Sequence, residues 1–91
     1  IEIEEHILYS IQIFTDEIYS KVNFRRNELL NLKNEIFLSN NLFIASLDSS
    51  FSKEFYLLHN NFKNRNIALN YCKKNPFFLD KCVIVNVQNL N

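Results

Sequence analysis

The chain has 91 residues, enough for one domain and too few for a second core. Ten Lys and Arg balance ten Asp and Glu, which argues against a partner held mainly by phosphate charge, since counterion release needs clustered cations. No apolar run approaches the length of a membrane span, and no secretory leader is visible.

Hydrophobic residues make up 47% of the chain, with nine Phe, so a globular core is expected. Glycine is absent. Tight turns must therefore fall to Asn, Asp and Ser, which tolerate left-handed backbone better than other residues. The chain opens Ile1-Glu2-Ile3 without methionine and reads as a piece excised from a longer protein.

Residues 6–15 contain Ile7, Leu8, Tyr9, Ile11, Ile13 and Phe14, interrupted by Ser10 and Gln12. The β-branched content and alternation predict a first strand, with Tyr9, Ile11 and Ile13 on one face and Ser10, Gln12 and Phe14 on the other. From Asp16 to about Asn34 the period changes. Ile18, Val22, Leu29, Leu32 and Ile36 follow helical spacing, with Asp16 and Glu17 as an acidic start suited to the helix dipole.

Asn40-Asn41 reads as a turn, residues 42–47 as a second strand, and Asp48-Ser49-Ser50 as a break. A third strand is expected over 53–59, paired with the second as an antiparallel hairpin. Residues 60–63 read as a loop and Asn64 as a helix N-cap. Ile67, Ala68, Tyr71 and Cys72 then form a helical stripe, and Pro76 ends that helix at or before Asn75. Phe77, Phe78 and Leu79 are expected to tuck under the helix end. The last strand, residues 82–88, is expected to turn Val83, Val85 and Val87 toward the core.

This order predicts an α+β domain of βαββαβ pattern, with a four-stranded antiparallel sheet and two helices on one face. The second face is left for solvent or for a ligand. The core spans about residues 8–88, with 1–6 as an N-terminal extension.

The pattern resembles the SPOR domain, a bacterial cell-envelope module of ribonucleoprotein-like fold. Tyr9-Ser10-Ile11-Gln12-Ile13 stands where that family carries an aromatic residue and a V-Q-L-type first strand. Phe55-Tyr56-Leu57-Leu58-His59-Asn60-Asn61-Phe62, followed by Asn64-Arg65-Asn66-Ile67-Ala68-Leu69, stands where it carries a third strand, a G-P-F-type turn and a helix with an early alanine. The similarity covers roughly residues 8–88. Two characteristic glycines are replaced, by Phe14 and Asn60. The resemblance implies a periplasmic or cell-envelope location, a link to cell division, and binding of peptidoglycan glycan strands on the open sheet face.

On that face the expected ligand-binding set is Ser10, Gln12, Phe14, Tyr56, Leu58 and Asn60. Ser10, Gln12 and Asn60 carry groups that bond sugar hydroxyls; Tyr56 and Phe14 offer rings for stacking on a pyranose. Leu58 and Phe14 suit an apolar partner better, so docking to an envelope protein is the alternative. A half-solvated sheet surface without a ligand is the plainer reading.

Other chemistry finds little support. His6 and His59 are isolated, and no spacing of His with Cys, Asp or Glu matches a zinc set, so neither metal nor cofactor is expected. His59 fits a structural role better than a ligand role, and a His-activated thiol at Cys72 would require the two to meet in space. Glu2, Glu4 and Glu5 read as a solvated start, and Arg25-Arg26 as a helix surface near Glu28. The sequence leaves a Cys72–Cys82 disulfide and two buried thiols as equal alternatives. RNA binding, known for this topology, expects a basic-Gly-aromatic-small-aromatic third strand; Lys53-Glu54-Phe55-Tyr56-Leu57 lacks the glycine, the small residue and the second aromatic. The expectation is a non-catalytic binding module with no nucleic-acid partner and no membrane insertion by this segment.

Overall fold

The computed structural model describes residues 9–32, 36–48, 51–78 and 81–87. The elements run β1 (Tyr9–Asp16), α1 (Tyr19–Asn31), β2 (Leu42–Asp48), β3 (Lys53–Phe62), α2 (Arg65–Lys74), a 3-10 turn (Pro76–Phe78) and β4 (Val83–Asn86). The sheet has the order β2-β3-β1-β4 with every neighbouring pair antiparallel. Both helices pack on one face, so the expected α+β architecture is present. The expected extension at 1–6, with Glu2, Glu4, Glu5 and His6, lies outside the described residues, as do Leu79 and Gln88.

The core lies between that face and the helices. Ile11 from β1, Leu42 from β2, and Leu57 and Phe62 from β3 meet Val22 and Leu29 from α1 and Ala68 and Cys72 from α2, with Phe37 and Phe78 closing the ends. Val22 and Leu29 are seven residues apart, two helical turns, and so fall on one side of α1.

The anticipated α1 stripe is wider than the one observed. Ile18 is the N-cap, half exposed, and Leu32 is the C-cap, exposed. Nor does the helix begin on acid. Asp16 still belongs to β1, where it pairs with Phe55, and its carboxylate accepts from the Ile18 amide at 2.9 Å. An Asx-type turn thus replaces the acidic first turn.

In α2 the expected cap is in place: the Asn64 side chain accepts from the Ile67 amide at 2.9 Å. Lys73 and Lys74 in the last turn complement the negative end of the helix. Pro76 opens the 3-10 turn. Phe78 is buried beneath the end of α2, whereas Phe77 stays half exposed. Cys72 and Cys82 are joined by a disulfide, with Cα atoms 6.2 Å apart.

Two bulges in the β1–β3 ladder alter the expected faces. Gln12 pairs with Leu58 and Phe14 with Leu57, so β1 carries an extra residue, Ile13, at that point. An extra residue reverses the inside–outside alternation beyond it. Phe14 therefore joins Ile13 in packing against the core and does not face the open side. The second bulge lies on β3 between His59 and Phe62, opposite the step from Ile11 to Tyr9. Asn60 there has φ 61°, the left-handed conformation that glycine favours. This bulge lets β3 continue to Phe62 where a loop was expected from residue 60.

β4 is also turned over relative to expectation. Ile84 pairs with Ile11 and packs on the core, while Val83 and Val85 pair with Gln12 and Ser10 on the opposite face. Antiparallel partners point to the same face, so the register with β1 overrides the valine pattern. Among the described residues no helix is long and apolar enough to cross a membrane.

Candidate functional site

No described helix covers the second face of the sheet. Alternation and register place Phe43 and Ala45 of β2, Glu54, Tyr56 and Leu58 of β3, Ser10 and Gln12 of β1, and Val83 and Val85 of β4 on it. Apolar side chains predominate. Leu58 belongs to no part of the core cluster, yet it is fully buried between Gln12 and Phe43.

Of the six expected binding residues, Gln12 and Tyr56 are half-buried on this face. The Tyr56 hydroxyl donates to the Glu54 carboxylate at 3.1 Å. Burial raises the pKa of Tyr56, and the hydrogen bond and charge of Glu54 add to the effect. A phenol held neutral beside a carboxylate forms a small polar island among aliphatic neighbours.

The other four have different positions. Ser10 is fully buried and its hydroxyl lies 3.0 Å from the His59 carbonyl and 2.6 Å from that of Asn60. Both acceptors sit in the β3 bulge, so Ser10 braces the backbone and offers no group to a sugar. Leu58 is too deep to touch a ligand directly. Phe14 is displaced to the helical face by the Ile13 bulge. Asn60 shapes the end of the face through its left-handed backbone, and its amide donates to the Asn41 carbonyl at 2.9 Å.

Sequence reasoning missed Phe43, Val83 and Val85. Phe43 was legible from its place in an alternating strand beside Leu42 and Ile44. The two valines were assigned to the core because they are the more regular apolar set in β4.

His59 is fully buried on the helical face. Its Nδ1 lies 3.1 Å from the Asn41 carbonyl, so it carries the proton and donates, leaving Nε2 to accept from the Tyr71 hydroxyl at 2.7 Å. Burial lowers the His59 pKa below its ordinary value of 6.5, partly offset by the bond to Asn41. Burial likewise raises that of Tyr71. Phe37 and Phe78 pack on the imidazole, with ring centroids 5.0 and 5.7 Å away. Both ring nitrogens are occupied, which suits a structural histidine. The thiol that would have needed this histidine as a base is bound in the disulfide.

Among the described residues no group of three or more His, Cys, Asp or Glu is placed to hold a metal ion. Arg25 pairs with Glu28 at 3.1 Å on the surface of α1. Arg26 donates to the carbonyls of Leu42 at 2.7 Å and Ser39 at 3.1 Å, which ties α1 to the start of β2. No family model matches the chain, and neither a curated protein nor a solved structure matches it.

Proposed function

We propose that this chain is a non-catalytic binding module that docks a protein partner through its open sheet face. The observation that carries this reading is the apolar make-up of that face, from Phe43 and Ala45 across Tyr56 to Val83 and Val85. An apolar surface of this kind is better matched by another protein surface than by sugar hydroxyls. The Cys72–Cys82 disulfide supports an oxidising compartment such as a bacterial cell envelope.

A second reading, recognition of peptidoglycan glycan, is favoured by two observations. Gln12 and Tyr56 remain on the face with polar groups and a ring. Asn60 is left-handed at the position where the SPOR pattern carries a glycine. Here an aromatic ring packs on a sugar face while Gln12 bonds its hydroxyls.

The test places a photoactivatable residue at Val85 and, as control, at Asn70 on the outside of α2. The protein-docking reading predicts a discrete adduct from Val85 in envelope extracts, absent from Asn70 and lost in Phe43→Asp. Cosedimentation with peptidoglycan sacculi, before and after amidase removal of stem peptides, separates the alternatives. Retention that rises with denuded glycan and falls in Gln12→Lys, without any Val85 adduct, would replace protein docking by glycan recognition.

A further inference from the structure

A second surface lies away from the open face, on the flank of α1 turned from β2. β4 pairs with β1 only from Tyr9 to Gln12, whereas β1 continues to Asp16. Among the described residues, positions 13–16 therefore have a sheet neighbour on the β3 side alone. Beside this edge lies a cleft of about 480 Å³ lined by Phe14, Ser20, Lys21, Phe24, Arg25 and Glu28. A smaller hollow of about 150 Å³ shares Arg25 and continues past Gln12 and Ile13 to Phe77, Phe78 and Lys81.

The lining combines exposed rings with positive charge. Phe24 is 65% exposed and Phe77 is 44% exposed, both large apolar groups left facing water. Lys21, Arg25 and Lys81 are set against two carboxylates: Glu28, which Arg25 already holds at 3.1 Å, and Asp16 at the end of the edge, which accepts from the Ile18 amide. Lys21 and Lys81 form no ion pair with a described residue. A chain that is neutral overall thus sets three cations against two carboxylates along this groove.

We propose that this groove binds an extended acidic peptide, which pairs with residues 13–16 of β1 and seats an apolar side chain between Phe14 and Phe24. Unpaired strand edges accept an added strand, with backbone hydrogen bonds giving affinity and side-chain pockets giving specificity. Lys21 in the cleft and Lys81 in the adjoining hollow select for carboxylates on either side of the apolar anchor. The site meets the open face only at Gln12, and its occupant is distinguished by negative charge.

The test uses the chain with its disulfide intact and the capped hexapeptide Thr-Asp-Thr-Phe-Thr-Asp, whose ring and two carboxylates share one strand face, followed by amide NMR shifts. Perturbations should centre on residues 13–16 and on Phe24, leaving Val83 and Val85 unmoved. A control peptide with Lys in place of Asp should bind at least about tenfold more weakly, as should the Lys21→Glu, Lys81→Glu double variant with the acidic peptide. Phe24→Asp, at an exposed position, should abolish binding while preserving the remaining spectrum. Equal binding of both peptides, or perturbations confined to the open face, would overturn the proposal. So would an acidic peptide that leaves every amide unmoved at millimolar concentration.

Discussion

The imidazole of His59 and the hydroxyl of Tyr71, 2.7 Å apart, join β3 to α2 across the core. Tyr71 in turn packs on Phe62 and Phe78, with centroids 5.2 and 6.0 Å away. The pair is a polar link inside an aromatic cluster. Its bonding is complete only while the imidazole is neutral, because protonation would remove the acceptor at Nε2.

Stability should therefore depend on acidity below neutrality. The folded protein holds His59 below 6.5, whereas the unfolded chain titrates near that value. As pH falls through about 6.5, the unfolded state takes up the proton first, so it gains relative to the folded state. The His59 contribution is complete above this pH, declines down to the folded pKa, and levels off below it. Urea midpoints measured from pH 8 to pH 5 should fall in the wild type. His59→Gln should show a smaller fall over the same interval.

Asn60 provides a backbone test. An L-residue with a Cβ held left-handed costs about 1–2 kcal/mol where no side-chain compensation exists. Asn60→Ala should lose stability of about that size together with the Asn60 side-chain bond to Tyr71, and Asn60→Gly, which also lacks that bond, should recover only the backbone part. Thermal unfolding of the three proteins at pH 7.5 would check the order.

The orientation of β4 can be tested with one polar substitution at two neighbouring positions. Ile84→Thr puts a hydroxyl against the core, while Val85→Thr puts it on the open face. The first should be more destabilising by about 1 kcal/mol or more. Equal urea midpoints would contradict the assignment of faces.

The disulfide links residues ten apart. Loop-closure entropy for a ring of this size corresponds to about 3 kcal/mol in the unfolded state. Denaturant titrations with and without reductant, and with the Cys72→Ser, Cys82→Ser double variant, should show losses of about 2–3 kcal/mol. The reduced wild type and the double variant should agree closely.

Topology was legible in the sequence because each element carries a local signal. The Asn64 cap, the Pro76 stop and the change of hydrophobic period at Asp16 all act over a few residues. The positions of individual side chains on the sheet were less legible. Simple alternation put Phe14 outward, but Ile13 is an extra residue opposite Leu58 and reverses the parity. Nothing in the tripeptide Gln12-Ile13-Phe14 announces that insertion, since the bulge is defined by the partner strand. Val83 and Val85 were misassigned for a related reason: β4 takes its facing from pairing with β1. Ser10 read as a ligand group because its hydroxyl's acceptors, the carbonyls of His59 and Asn60, are about fifty positions away.

The bond between Cys72 and Cys82 closes a covalent ring around the Pro76–Phe78 turn. Lys73, Lys74 and Lys81 all fall within that ring and are exposed. A trypsin-like protease that cuts after any one of them leaves β4 tethered to α2 through sulfur. Hydrolysis of one peptide bond there adds the mass of a water and releases no fragment. Such a nick becomes visible as two chains only when the disulfide is reduced, and the edge strand has a second attachment that survives cleavage of the first.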